Sequence, residues 1–233
     1  LYLLRKGQGE EARAVIDRVL TANGKAPLSE PLAPGETSET VSLLSPALKA
    51  RTLLMLAIWF LVSLSYYGIF TWMPARLAGE GFGFVRGYGF LVIVALAQIP
   101  GYALAAWGVE RAGRKPTLIA FLLLSAAGCA LFVVASSTAL VATAILLMSF
   151  SLLGTWGALY AYTPELYPTA ARASGMGAAG AMARLGGLLA PSLLSLLVAR
   201  SFGAAVALFA ILLLLAAVAA SRIDAETRQQ ALD

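Results

Sequence analysis

The stretch ASGMGAAGAMARLGGLLAPSLLSLLV, residues 173–198, is apolar and rich in small side chains, with a single charge, Arg184, in its interior. It is opened by a polar hinge, YTPELYPTAAR at 162–172, whose Pro164 and Pro168 end one helical run before the next begins. Read as a membrane helix entered at Arg172, a rise of about 1.5 Å per residue puts Arg184 about 18 Å deep, near the midplane of a ~30 Å hydrocarbon core. An ionised group at that depth costs at least about 2.5–3.5 kcal/mol, so it must face protein or a watery cavity. Such a residue marks a site for something anionic.

Composition agrees with a membrane chain. The 233 residues are 60% hydrophobic and 12% charged, with a mean hydropathy of +0.82, far from the balance of soluble domains. There is no histidine, which excludes imidazole catalysis and His-ligated metal. Cys129 is the sole cysteine and lies inside an apolar run, so neither an internal disulfide nor a Cys-cluster metal site is possible. No cofactor or metal is expected. The net charge of +5 does not point to nucleic acid, because the basic residues flank apolar segments instead of forming an aromatic-interleaved stripe. An integral-membrane enzyme would need a nucleophile–base pair or a metal cluster, and the sequence contains neither pattern.

Hydropathy predicts six spans, about Thr52–Met73, Tyr88–Trp107, Thr117–Ala135, Ala139–Tyr162, Ala173–Val198 and Ala204–Ala220. The connections are short, so successive helices are expected to be antiparallel neighbours in an all-α integral-membrane bundle. Segment 1–51, the loop after the second span, the loop after the fourth and the tail hold thirteen Lys/Arg, whereas the other side holds Arg76, Arg86 and Arg200. The positive-inside rule then places both ends in the cytoplasm. None of the twelve carboxylates falls within a predicted span, so these helices offer no buried acid to carry a proton.

The first fifty residues differ in kind. Ala12, Val15, Ile16, Val19 and Leu20 recur at helical spacing among charges, and Asn23-Gly24 is a stop, which predicts a short amphipathic cytoplasmic helix. A Pro/Ser/Glu linker, APLSEPLAPGETSET at 26–40, follows it. The organisation expected is thus a cytoplasmic segment over 1–50 and a transmembrane bundle over 51–233.

Three charged motifs share the cytoplasmic side: GVERAGRKP at 108–116, PELYPTAAR at 164–172 and DAETRQ at 224–229. Glu165, Arg172 and Glu226 are therefore expected to meet Arg111, Arg114 and Lys115 in a network that opens and closes with the bundle. Gly113 supplies the tight turn between two helices. The plain alternative is ordinary flanking charges, worth about 0–1 kcal/mol a pair. Small residues carry the mechanics: Gly175, Gly177, Gly180, Gly186 and Gly187 let their helix pack closely, and Pro191 frees a carbonyl and acts as a hinge. Gly and Pro are also simply common in membrane helices.

GRKP, PELYPTAAR and ETR, in this order and spacing, resemble the C-terminal half of a major facilitator superfamily transporter. LLRKGQGEEARAV at 3–15 resembles the central cytoplasmic loop of that family, so sequence upstream is expected. ELYPTAAR followed by GMG and MAR is similar to the branch containing organic-anion and organic-cation transporters, synaptic-vesicle-protein relatives and bacterial niacin transporters. WFLVSLSYYGIF at 59–70 fits that branch as well, and the Gln-Gln pattern of sugar porters is missing from it.

The resemblance implies one half of a twelve-helix fold, partnered in the bilayer by an N-terminal six-helix bundle and rocking around a midplane site. Its substrate-contacting positions on this half would be Tyr66 and Tyr67 in the first span, with Trp156 and Tyr160 in the fourth as stacking walls. Arg184 matches the arginine that similar anion transporters place there, where cation-selective relatives carry an acid. Residue types agree with that. An aromatic carboxylate needs a guanidinium fork for its oxygens and flat rings to stack on. Trp156 and Tyr160 are four apart and share a face, and Trp59 shares one with Tyr66. The alternatives are packing or interfacial anchoring for the aromatics and a carbonyl-satisfying role for Arg184. A second basic residue found in anion-selective relatives is replaced here by Tyr102, which favours a monocarboxylate such as nicotinate over a dicarboxylate.

The function expected is alternating-access transport of a small organic anion across the cell membrane. Alternatives within the superfamily are an organic-cation or sugar-like substrate, or a non-transporting receptor. Symport would need a proton carrier in the other half, and uniport and exchange stay open.

Overall fold

The computed structural model describes residues 2–5, 7–30, 32, 41–79 and 88–228. Most of the Pro/Ser/Glu linker, Arg86 and Gln229 lie outside them. The chain divides into two compact units, Leu1–Val41 and Ser42–Asp233.

In the first unit α1 spans Tyr2–Arg5 and α2 spans Gly9–Ala22. Glu10 and Glu11 sit in the first turn of α2, where the helix dipole favours them. The helix stops as its sequence predicts: Asn23 caps it, and Gly24 takes φ +70°, a conformation that costs a glycine nothing. The chain then folds back, with Leu28 N–H donating to Asp17 Oδ1 at 2.8 Å and Arg13 donating to Leu28 O at 2.6 Å.

The second unit is wholly helical among its described residues: α3 (Lys49–Gly79), α4 (Tyr88–Leu96), α5 (Gln98–Arg111), α6 (Arg114–Val134), α7 (Thr138–Glu165), α8 (Thr169–Arg200) and α9 (Phe202–Ser221). Five stretches of described residues are long and apolar enough to cross a membrane: 49–73, 89–111, 114–134, 138–165 and 202–221. The sixth predicted span, 173–198, lies within α8, whose 32 residues exceed the length needed.

One expectation is refined and one corrected. The second span stands as one apolar stretch over 89–111, with a one-residue turn at Ala97 between α4 and α5. Pro100 has no N–H to give the carbonyl of Leu96, so the ladder fails one turn before the proline. The hinge before Arg184's helix is also shorter than predicted. Helix α7 runs on through Pro164 to Glu165, and α8 starts at Thr169 with Pro168 at its cap, which leaves Leu166–Pro168 as the connection. Arg172 is thus in the first turn of α8. The helix continues unbroken through Pro191.

Short polar signals set the remaining boundaries. Ser137 Oγ accepts from Leu140 N–H at 3.3 Å to start α7, and Ser201 Oγ accepts from Ala204 N–H at 3.2 Å to start α9. Helix α3 packs against α8 and α9, α6 lies between α7 and α9, and α5 packs on α7. Met55, Ile58, Trp59 and Val62 of α3 are buried in this core, as are Met148, Leu152 and Leu159 of α7 and Phe209 and Leu213 of α9. Glycine permits the closest approaches. A Cβ on Gly186 would stand 2.8 Å from Phe60 O and 3.0 Å from Ser63 Cβ, so α8 touches the backbone of α3 there. Gly101 of α5 lies against the carbonyl of Phe150 in α7 in the same way. Buried hydroxyls tie helices directly: Ser63 Oγ donates to Ala183 O at 2.5 Å, and Ser149 Oγ donates to Val94 O at 2.7 Å.

Candidate functional site

Helices α3, α5, α7 and α8 line an open cavity of about 370 Å³. Its lining brings together all six residues expected to touch substrate: Tyr66 and Tyr67 from α3, Tyr102 from α5, Trp156 and Tyr160 from α7, and Arg184 from α8. Trp59, Leu153, Gly180 and Ala183 complete it. Trp59 was legible in the sequence only as a residue sharing a helix face with Tyr66.

The aromatic wall is held from behind. Trp59 is buried, and its indole N–H donates to Thr163 Oγ1 at 2.9 Å, while Thr163 donates to Leu159 O at 2.7 Å. Its ring meets Trp156 edge-on at 5.4 Å and 68°, and Tyr160 at 5.0 Å and 82°. Trp156 and Tyr160, one turn apart, are inclined at only 38° with centroids 6.1 Å apart. Tyr66 stands nearly perpendicular to Trp156 at 6.0 Å and to Tyr67 at 5.3 Å. Edge-to-face contacts of this kind set positive ring edges against negative faces, worth about 0.5–1.5 kcal/mol a pair beyond area burial. Tyr102 lies over Gly157, where a Cβ would come within 3.2 Å of its ring, and Tyr67 lies over Gly187, where the distance would be 2.9 Å. Glycines on α7 and α8 therefore make room for the two tyrosines. Both tyrosines remain 45% exposed, and Tyr160 57%, so their polar ends are accessible.

Arg184 is exposed and lines this cavity. Its Nη1 donates to Gly180 O at 3.0 Å, so one carbonyl is satisfied by it. Among the described residues it forms no ion pair, and no Asp or Glu lines the cavity. A guanidinium that faces a cavity without a counter-ion attracts an anion.

The second constellation gathers the C-terminal ends of α5 and α7, the start of α6 and the segment after α9. Arg114 makes a bidentate pair with Glu165, Nε to Oε2 at 2.9 Å and Nη2 to Oε1 at 3.1 Å, and also reaches Glu110 at 3.0 Å. Thr227 Oγ1 donates to Glu165 Oε2 at 2.5 Å. Glu226 behaves differently from expectation. Its carboxylate accepts the backbone N–H groups of Arg114 at 2.9 Å and Lys115 at 3.1 Å, so it caps the start of α6 from across the bundle. Gly113, at φ +114°, has no room for a side chain because a Cβ would be 2.8 Å from Glu226 Oε2.

Two members of the expected network, Lys115 and Arg172, take other partners, and a third, Arg111, stays outside it. Lys115 Nζ donates to Ile223 O at 2.6 Å. Arg172 donates to the carbonyls of Pro164 at 3.0 Å and Tyr167 at 3.5 Å, closing the α7–α8 connection. Arg111 is exposed and pairs with neither Glu165 nor Glu226. Two residues were missed. Thr227 and Tyr162, whose hydroxyl donates to Ala225 O, join the cluster through the tail. No metal-ligand cluster of three or more acids, cysteines or histidines occurs among the described residues.

This is the architecture of half a major facilitator fold. The Major Facilitator Superfamily model matches residues 10–191 and 88–231, and the chain belongs to that superfamily. It is a multi-pass membrane protein of a transporter family, not an enzyme family. NiaP of Bacillus subtilis is 42% identical over 184 residues, covering 78% of this chain and 46% of that protein. The niacin transporter NiaP of Acinetobacter baylyi is 38% identical over 82% of this chain and 44% of its own length. The synaptic vesicle 2-related protein of Xenopus laevis is 30% identical over 99% of this chain and 46% of its own. Among solved structures, the proton:xylose symporter XylE superposes with a TM-score of 0.66 at 17% identity, over 99% of this chain and 52% of that one, a likeness of fold. The chain spans about half the length of the curated relatives it matches.

Proposed function

We propose that these residues form the C-terminal bundle of an alternating-access transporter that moves a small organic anion, an aromatic monocarboxylate such as nicotinate, across the cell membrane. One observation carries this reading: Arg184, with no acidic partner among the described residues, shares a cavity with Trp156, Tyr160, Tyr66, Tyr67 and Tyr102. A carboxylate fits the guanidinium fork, and an aromatic ring fits the walls. The lining described holds no acid, which weighs against a cationic substrate, since that would need one. Similarity to the niacin transporter of Acinetobacter baylyi supports the particular acid.

On this reading a second six-helix bundle closes the open side of the cavity, both ends of this chain are cytoplasmic, and the Arg114–Glu165–Thr227 cluster with Glu226 is the cytoplasmic gate. Pro191 serves as the hinge in α8. The test is uptake of labelled nicotinate by the full-length protein in proteoliposomes, with organic anions and cations as competitors. Saturable uptake that aromatic carboxylates block and Arg184→Leu abolishes supports the proposal. Competition by cations, with normal uptake by Arg184→Leu, overturns it.

A further inference from the structure

Arg184 does not reach straight out from α8. Its Nη1 turns back by one helical turn to the carbonyl of Gly180, at 3.0 Å, so the guanidinium lies along the helix. A guanidinium offers a carboxylate either its end, Nη1 with Nη2, or its side, Nε with Nη2. With one N–H of Nη1 committed to a carbonyl, the side, Nε with Nη2, is the edge whose donors are all free.

Gly180 permits this posture. A Cβ there would stand 3.0 Å from Nη1, inside the 3.4 Å at which ordinary van der Waals contact begins. Beyond its chain neighbours and the backbone of its own helix, nothing else lies within 4 Å of that Cβ, so what a methyl group would move is the arginine. Gly180 and Arg184 line the same cavity, and a guanidinium lifted off α8 moves within the substrate's space. Gly177, on the same helix, would carry a Cβ with nothing within 4 Å of it and provides an internal comparison.

We propose that Gly180 is a positioning residue that lays Arg184 along α8 and so presents the side of its guanidinium, Nε with Nη2, to a carboxylate. This deepens the anion reading given above and rests on it.

The test measures nicotinate uptake by the full-length protein as wild type, Gly180→Ala, Gly177→Ala and Arg184→Leu. Alanine is the better helix former, so neither glycine substitution should weaken the fold. Gly180→Ala is expected to raise KM about five- to tenfold, the loss of one well-aligned charge-assisted hydrogen bond, with the maximum rate within about twofold of wild type. Gly177→Ala is expected to match wild type in both. A KM for Gly180→Ala equal to that of Gly177→Ala overturns the proposal. So does a fall in maximum rate with KM unchanged, which would mark Gly180 as a packing residue. Normal uptake by Arg184→Leu would instead overturn the anion reading itself.

Discussion

Replacing Gly186 with alanine tests how closely the helix bearing Arg184 is pressed against its neighbour. A Cβ at 186 would sit 2.8 Å from Phe60 O, 3.0 Å from Ser63 Cβ and 3.1 Å from Leu64 N, and ordinary contact begins near 3.4 Å. Two of these atoms are backbone and cannot swing aside, so α8 must withdraw from α3 by roughly half an ångström, and overpacking of this kind costs about 1–3 kcal/mol. The Ser63–Ala183 hydrogen bond between the same helices stretches with it. On a bundle of this size each kcal/mol lowers the melting temperature by about 2–4 °C. Thermal unfolding of the detergent-purified protein should therefore show Gly186→Ala melting about 2–12 °C below wild type. Gly177→Ala, which meets nothing, should melt at or slightly above wild type. The two residues share a helix and differ only in what faces them. Equal melting temperatures for the two variants would refute the close approach of α8 to α3.

Other predictions concern the polar ties. Glu226→Ala strips the carboxylate from the first amides of α6 and should cost about 1–2 kcal/mol, read as a lower melting temperature, with Glu226→Gln partly restoring it. Arg114→Lys cannot make the two parallel bonds to Glu165, so it should destabilise where a surface ion pair would tolerate the exchange, again read as a lower melting temperature. Thr163→Val keeps the volume but leaves the buried indole N–H of Trp59 without an acceptor. A loss of about 1 kcal/mol is expected, together with a changed tryptophan fluorescence maximum.

Hydropathy made the long helices legible, because a membrane span announces itself through length and apolar content alone. The turn at Ala97 was not legible in that way, since 89–111 reads as one apolar run and only Pro100 hints at it. In the cavity the spacing of Trp156 and Tyr160 was enough to place them on one face, and the resemblance supplied their partners on α3 and α5. Trp59 was harder to see: its ring borders the cavity while most of its surface is buried, and no pattern in the sequence separates that from core. Pairing charges by sign misjudged Glu226, Lys115 and Arg172, which all bond to backbone atoms. Side-chain arithmetic does not count the bare amides of a helix start. The signal that was present is Gly113, directly before Arg114, which marks the point where such amides would be exposed.

The remote cap on α6 has a consequence for the order in which the chain is made. Arg114 and the carboxylate that satisfies its amide are separated by 112 positions. At about 5–20 residues per second, a ribosome needs roughly 6–20 s to go from one to the other. Throughout that interval the first amides of α6 lack the carboxylate that caps them, although every helix up to α9 is being laid down around them. Insertion into the bilayer and completion of the fold are thus separate events, and the second waits on a handful of residues beyond the last apolar span. A nonsense codon between Ser221 and Glu226 would spare all the membrane helices and still yield a protein that quality-control proteases recognise as unfinished.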